Sequence, residues 1–141
     1  MTWYFDNKSL ITDSIDTTII GFVYKITNLI SNRSYIGQKK FWVKAKTKKA
    51  KLAKIKFVPS DWQSYWGSNL ELQNDVAHCG EINFRREIIS LCHSKSEMNY
   101  VELYHQMINN ALLHPDLYYN SYAGGRISRK HLKKYIEKLK K

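Results

Sequence analysis

The sequence predicts a single α+β domain of ordinary size. Three segments are rich in β-branched and aromatic residues, which favours strands, and two others carry apolar residues at helical spacing. Hydrophobic residues make up 43% of the 141 residues, enough to form a folded core. We therefore expect one compact domain of strands and helices with basic appendages.

The strands come first. "TTIIGFVYKIT", residues 17–27, reads as a strand, turn-forming residues follow in "NLISNRS", and "RSYIG" returns as a short second strand. This order predicts a hairpin. Gly37 closes the second strand, where a glycine lets another group approach closely. "INFRREIISLC", residues 82–92, has the alternation of a third strand.

Two helices are predicted from apolar spacing and from capping residues. "SNLELQNDVAHCG" has Ser68 or Asn69 as its N-cap and Gly80 just past its end. "SKSEMNYVELYHQMINNALL" repeats apolar residues near the 3.6-residue period and begins at Ser94 or Ser96. The segment "YYNSYAGGR" then reads as a loop.

We expect the chain to divide into an N-terminal arm, a main domain with a basic insertion, and a basic C-terminal helix. Residues 1–16 form an N-terminal arm, and residues 17–125 form the main domain. Within that domain, residues 39–60 are a basic insertion that is partly extended. Residues 126–141 form a strongly basic C-terminal helix.

The charge points to a polyanionic partner. The formal net charge is +11, and no Asp or Glu occurs from Thr17 to Ser60. A block of one charge sign repels itself unless a polyanion such as a phosphate backbone neutralises it. A solubility tail is the alternative, and an anionic membrane surface fits less well because the block lacks an amphipathic period. That acid-free span contains eleven cations: Lys25, Arg33, Lys39, Lys40, Lys44, Lys46, Lys48, Lys49, Lys51, Lys54 and Lys56.

Other classes of protein are disfavoured. The apolar runs are much shorter than the roughly 20 residues that span a bilayer, and the N-terminus lacks the pattern of a secretion signal. Cys79 and Cys92 have no C-x-x-C partner, so we expect free thiols rather than a zinc site. A reducing cytoplasm is the expected location.

Five landmarks in order resemble the GIY-YIG nuclease family. "FVY" (residues 22–24) and "YIG" (residues 35–37) correspond to the two name motifs, although Phe22 and Val23 depart from the first. "DWQSYWGSN" is similar to an element of phage-encoded, homing-endonuclease-like members, and "INFRREIISLC" is similar to the family's third strand. Glu102 and Asn120 match the family's glutamate and late asparagine.

The resemblance implies a fold and a reaction. The fold is a small three-stranded antiparallel sheet flanked by helices, and the reaction is hydrolysis of DNA phosphodiesters with one Mg²⁺ or Mn²⁺ ion. Tyr24 would activate water, Tyr35 would hydrogen-bond near the phosphate, Glu102 would hold the metal and Asn120 would brace the site. We expect DNA as the partner, no organic cofactor and no membrane. A monomer or weak homodimer would act in the cytoplasm, or in the host's cytoplasm if the protein is phage-encoded.

Two other side chains near Glu102 are candidates for the metal site. Glu97 lies earlier on the same predicted helix, where an acid complements the helix dipole. His105 follows Glu102 at the E-x-x-H spacing of some carboxylate metal sites, as a second ligand or an acid–base group.

One departure from the family leaves unassigned the residue that would bind the scissile phosphate, here called the phosphate clamp. Family members carry an arginine after YIG, and this chain has none between Gly37 and Phe84. A lysine could substitute as a point charge, although it lacks the planar fork of arginine. Lys39 and Lys40 are closest to YIG, and Lys44 or Lys46 lie roughly where the arginine would fall. Arg85 or Arg86 could alternatively reach in from the third strand, where the two alternate between faces.

Further basic residues are expected to contact DNA. The rival hypothesis is a catalytically weak or inactive module on the same scaffold that binds nucleic acid or inhibits a partner. The predicted DNA contacts are Lys40, Lys46, Lys48, Lys49, Arg85, Arg86, Arg126, Lys130 and Lys133.

Overall fold

A computed structural model describes residues 2–10, 15–45, 56–124 and 127–140. The central part of the basic insertion therefore lies outside the described residues, and so do the predictions made for Lys46, Lys48, Lys49 and Arg126. No helix in the described ranges is long and apolar enough to cross a membrane.

The described residues form nine strands, three α-helices and four short 3₁₀ helices. The strands are β1 (Trp3–Phe5), β2 (Lys8–Ser9), β3 (Gly21–Asn28), β4 (Ser34–Lys40), β5 (Trp42–Lys44), β6 (Phe57–Pro59), β7 (Phe84–Cys92), β8 (Tyr122–Ala123) and β9 (Ile127–Ser128). The α-helices are α1 (Leu70–Cys79), α2 (Lys95–Ile108) and α3 (Lys133–Leu139). The 3₁₀ helices are Trp62–Ser64, Glu81–Asn83, Ala111–Leu113 and Arg129–Leu132.

The central sheet has the order β2-β1-β7-β3-β4. Its middle is the antiparallel set β7-β3-β4, which confirms the predicted hairpin and third strand. The sheet is nevertheless larger than the three strands expected. β1 adds in parallel to the outer edge of β7, and β2 pairs with β1. The aromatic run "WYF" near the N-terminus supplies this extension, because pairing protects the edge of β7 and buries Trp3.

Alternation along β3 divides the core between the two faces of the sheet. Phe22, Tyr24 and Ile26 are buried on one face, together with the aromatic residues around Trp62. Val23 is buried on the other face, where Met98 of α2 contacts the same cluster. A bulge between Val23 and Tyr24 shifts the register with β7.

Both helices begin where the capping residues predict and α1 ends at its predicted cap, whereas α2 ends at Ile108, before the end of the predicted segment. The Asn69 side chain accepts a hydrogen bond from the Leu72 amide, and Gly80 ends α1 with a φ of 92°, which favours glycine. The Ser94 side chain accepts from the Glu97 amide at the start of α2. Caps of this kind satisfy amides that have no partner within the helix.

The insertion and the C-terminal segments agree with their predicted forms only in part. The two ends of the insertion pair as strands β5 and β6, which agrees with an extended segment. The expected loop at "YYNSYAGGR" contains strand β8, which pairs with β9. The C-terminal helix is shorter than predicted, because β9 and a 3₁₀ turn occupy residues 127–132 before α3 begins.

Candidate active site

A cleft opens beside β4, the outer strand of the sheet. Residues 117–120 cover the first part of this edge: the Ser34 amide donates to the Leu117 carbonyl, and the Tyr119 amide donates to the Ser34 carbonyl. The cleft lies beyond this covered part and encloses about 170 Å³, roughly the volume of five or six waters at about 30 Å³ each. Its lining comprises Tyr24, Tyr35, Gln38, Ser68, Asn69, Glu102, Gln106, Asn120, Ser121, Tyr122 and Gly124.

Gly37 makes room for the Tyr24 phenol at the edge of the sheet. The two residues are Cα partners across β3 and β4. A Cβ atom at residue 37 would lie 2.6 Å from Tyr24 Cζ and 2.9 Å from Tyr35 Cε1, which is closer than van der Waals contact allows. The absence of a side chain therefore lets the hydroxyl of a buried tyrosine reach the cleft. Burial, together with nearby Tyr35, Tyr65 and Glu102, raises the pKa of Tyr24 well above its usual value.

Tyr35 lies on the same face as Tyr24, with ring centroids 6.1 Å apart. Its hydroxyl shares a 3.0 Å hydrogen bond with Ser68 Oγ, just before α1. Burial raises the pKa of Tyr35 to about 12, against the opposing effect of the Ser68 hydrogen bond. Both phenols are thus protonated at neutral pH and can donate hydrogen bonds into the cleft.

Glu102 enters the cleft from α2, which lies against the opposite face of the sheet. Gln38 Nε2 donates to Glu102 Oε1 over 3.3 Å, and Lys95 Nζ donates to Gln38 Oε1 over 2.7 Å. Burial raises the pKa of Glu102, while the Gln38 hydrogen bond and the Lys95 charge partly oppose that effect. At the open edge of β4, the Glu102 carboxylate therefore meets the phenols of Tyr24 and Tyr35, which come from the opposite face of the sheet.

Asn120 braces the edge strand by bonding its backbone. Its Oδ1 accepts from the Ile36 amide over 3.1 Å, and its Nδ2 donates to the Ile36 carbonyl over 2.8 Å. The side chain is only 3% exposed, so these two hydrogen bonds are shielded from water. Asn120 therefore fixes Ile36 between the tyrosine and glycine of the YIG motif.

Gln106 is a cleft residue that the sequence analysis did not find. It lies one turn after Glu102 on α2, and its Nε2 donates to the Ile36 carbonyl over 3.1 Å. Its buried Oε1 has no hydrogen-bond partner among the described residues. The E-x-x-x-Q spacing of Glu102 and Gln106 was the available sequence signal, since residues four apart share a helix face.

The donor atoms around the cleft suit a hard divalent cation. Glu102 contributes one carboxylate and Gln106 one amide oxygen without a donor, and Mg²⁺ prefers such hard oxygen ligands. The described part of the chain contains no group of three or more His, Cys, Asp or Glu side chains that could hold a metal. A cation held by Glu102 would thus complete its shell with water and phosphate oxygens, as Mg²⁺ commonly does.

Lys39 and Lys44, the predicted substitutes for the arginine, lie in different places. Lys39 follows Gly37 by two residues on the face of β4 that carries the tyrosines. Its Nζ lies 4.1 Å from the centroid of the Tyr65 ring and 2.6 Å from Asp61 Oδ1. Lys44 is exposed on the separate β5–β6 sheet. Neither is among the described residues that line the cleft.

Neither arginine of β7 is among the described residues that line the cleft. Arg86 is 2% exposed and lies between two indoles, 4.7 Å from the Trp3 ring centroid and 4.4 Å from that of Trp66. Its Nη1 donates to the Tyr65 carbonyl, and burial lowers its pKa to about 10. The prediction that Arg86 contacts DNA is therefore wrong, because the guanidinium is part of the core. Arg85 alternates to the opposite face from Tyr24 and binds Glu87.

The remaining predicted side chains lie outside the cleft. Lys40 is exposed at the end of β4, and Lys130 and Lys133 are exposed near the C-terminus. Glu97 accepts from the His93 amide at the start of α2, which confirms its role in the first helical turn. His105 stacks edge-on against Tyr104 instead of completing a site with Glu102.

Comparison with protein families gives a match over most of the chain. The family described as "Putative endonuclease segE, GIY-YIG domain" matches residues 3–123, which is most of the chain. The matched range includes strands β1 to β8, helices α1 and α2, and every residue that lines the cleft except Gly124. Neither the curated proteins nor the solved structures gave a match.

Proposed function

The chain belongs to the GIY-YIG endonuclease family, and on this premise we propose that it hydrolyses DNA phosphodiester bonds with a bound divalent metal ion. The observation that carries the proposal is the meeting of Tyr24, Tyr35 and Glu102 in one cleft at the open edge of β4. Packing alone does not require two phenols and a carboxylate to meet beside Gly37, where β4 has no side chain. Hydrolysis of a phosphodiester requires a positioned water, donors for the phosphoryl oxygens and a site for a cation.

Each cleft residue has a separate role in the proposed hydrolysis. Glu102 holds the cation, with Gln38 orienting its carboxylate. Mg²⁺ or Mn²⁺, when bound, neutralises charge on the phosphoryl and leaving oxygens. Tyr24 Oη accepts a hydrogen bond from the attacking water, whose proton is lost to solvent because this phenol is itself protonated at neutral pH. Tyr35, which is also protonated, donates to a phosphoryl oxygen. Asn120 keeps the backbone between the phenols rigid.

Lys39 is the strongest candidate for the missing cationic clamp. It is on the tyrosine face of β4, and its side chain is 20% exposed, compared with 70% for its partner Asp61. Because Asp61 is exposed, solvent screens its attraction for Lys39, and an ion pair screened in this way contributes little to stability. We propose that a DNA phosphate replaces Asp61 as the partner of Lys39.

Plasmid nicking tests the proposal. Supercoiled plasmid is incubated with the purified chain in Mg²⁺, in Mn²⁺ and in EDTA, and the products are separated on agarose. We expect cleavage with either metal and none with EDTA. Glu102→Gln should lower the rate by about 10²-fold or more, the scale seen when one transition-state group is lost. Glu97→Gln, on the same helix but outside the cleft, is the matched control and should retain activity.

A second candidate function is a DNA-binding module that does not cleave. Two observations favour it: none of the described residues that line the cleft is an arginine or a lysine, and Lys39 is already paired with Asp61. The same experiment separates the two functions. Tight, salt-sensitive DNA binding without nicking in either metal would support the module and reject the nuclease.

A further inference from the structure

A second groove continues from the cleft towards the C-terminus. The two cavities share Ser121 and Tyr122, so their walls are continuous. The second groove encloses about 610 Å³ between the β8 strand and α3. Its lining comprises Ser121, Tyr122, Arg129, Lys130, Lys133, Ile136, Glu137 and Lys140.

The groove combines cations with an apolar surface. Four of its described lining residues are Lys or Arg, and Glu137 is the one carboxylate among them. Tyr122 is 58% exposed at the junction with the cleft, where an aromatic face is open to a ligand. A nucleic-acid strand offers the matching chemistry, since phosphates pair with cations and bases stack on aromatic rings.

Arg129 fixes the groove to the body of the domain. Its Nε donates to the Leu112 carbonyl over 2.9 Å, and its Nη2 donates to the Ala111 and Tyr118 carbonyls over 3.1 and 3.3 Å. Its amide donates to the Ser121 carbonyl over 2.7 Å. This cation is thus used to hold the chain in place, which leaves Lys130, Lys133 and Lys140 to face a ligand.

We propose that this groove binds the DNA strand on one side of the scissile phosphodiester. The inference rests on the proposed nuclease function for the place of the scissile bond. Phosphates of the strand lie along Lys130 and Lys133, and a base stacks on Tyr122 where the strand leaves the cleft. Such contacts position the strand without reading its sequence.

The salt dependence of binding tests the phosphate contacts. Binding of a fluorescein-labelled 20-base-pair duplex is followed by fluorescence anisotropy in EDTA, so cleavage is not needed for the readout. Lys130→Gln/Lys133→Gln should reduce the slope of log K against log salt by about 1 to 2, since each lost phosphate contact removes about 0.9. Lys134→Gln/Lys138→Gln removes the same charge from residues of α3 that do not line the groove.

The comparison between the two double variants decides the inference. A clearly larger reduction of the salt slope in Lys130→Gln/Lys133→Gln than in Lys134→Gln/Lys138→Gln supports the inference. An equal or smaller reduction overturns it. The outcome is separate from that of the nicking assay. If the chain nicks DNA and the two double variants have equal salt slopes, the nuclease proposal stands and the groove proposal fails. If the salt slopes differ and the chain does not nick DNA, the groove still binds DNA and the nuclease proposal fails.

Substitution of Tyr122 tests the stacking contact. Tyr122→Ala should weaken binding of a labelled 12-nucleotide single strand by roughly 5- to 150-fold, the range for one base–aromatic stack. Tyr122→Phe should bind like the unmodified chain, because stacking needs the ring and not the hydroxyl. An equal loss in both variants, or no loss in Tyr122→Ala, would exclude the stack.

Discussion

At the scale of single residues, Gly37 decides whether the two phenols reach the cleft. Gly37→Ala would place a Cβ atom 2.6 Å from Tyr24 Cζ, so the ring must move. We expect the cleavage rate to fall by about 10²-fold, since a displacement of about 1 Å is enough for such a loss. Single-turnover kinetics measures the rate. In a Tyr24→Phe background the same substitution should cost less, because the part of the loss that acts through the Tyr24 hydroxyl is already gone and only the displacement of Tyr35 remains. An equal loss in both backgrounds would contradict this role for Gly37.

The half-buried carboxylate of Glu102 predicts a pH-dependent stability. Its pKa is raised in the folded state, so its contribution to stability is greatest below the unfolded-state pKa and falls as pH rises through the folded-state pKa. Glu102→Gln should therefore gain stability relative to the unmodified chain as pH increases from about 4 to 7. Urea unfolding in EDTA at several pH values gives the difference. A difference that does not change with pH would refute the shift.

The positions of side chains in the cleft were predictable where a motif carries them and not where tertiary contacts create them. Tyr24, Tyr35 and Glu102 were found from motif positions, and all three line the cleft. Gln106 was missed because its significance depends on its contact with the Ile36 carbonyl. Arg86 was misassigned because alternation in a strand shows that neighbours face opposite ways, but not that Trp3 and Trp66 cover one of them.

At the scale of elements, β1 holds the aromatic segment beneath the cleft. Trp3 Nε1 donates to the Trp62 carbonyl over 2.7 Å, and its ring covers the Arg86 guanidinium. Arg86 in turn binds the Tyr65 carbonyl. The N-terminal strand is thus linked to the segment that contains Tyr65 and leads to Ser68.

Trp3→Ala should destabilise the fold strongly. Loss of a buried Trp side chain costs about 3 to 5 kcal/mol, and here it also removes one aromatic wall from a buried guanidinium. The free energy of unfolding is measured by urea titration. Tyr4→Ala, the neighbouring residue on the other face of β1, is the control and should cost less. Equal losses in the two variants would show that the indole is not the link.

Element types were predictable from local sequence more reliably than element boundaries. The caps at Asn69, Gly80 and Ser94 follow from local hydrogen bonding, so they were correct. The parallel pairing of β1 with β7 joins residues about eighty positions apart, and no local pattern specifies such a partner. The C-terminal helix was overextended because a basic, helix-favouring composition does not reveal that residues 127–128 pair with β8.

At the scale of the whole molecule, the site depends on the meeting of two layers at one sheet edge. The aromatic layer supplies Tyr24 and Tyr35, and the helical layer supplies Glu102. Residues 117–120 cover β4 only as far as Ile36, so the cleft begins where Gly37 leaves a gap. The net charge of +11 attracts a polyanion to the whole surface, whereas the cleft determines where hydrolysis would occur.

A double-mutant cycle on Tyr24 and Glu102 tests most directly whether the two layers form one catalytic unit. Cleavage rates are measured in Mg²⁺ for the unmodified chain, Tyr24→Phe, Glu102→Gln and the double variant. Residues that act together lose rate non-additively. We predict that the double variant cleaves about as slowly as the slower single variant. Losses that multiply, or an unmodified chain that does not cleave, would contradict the account.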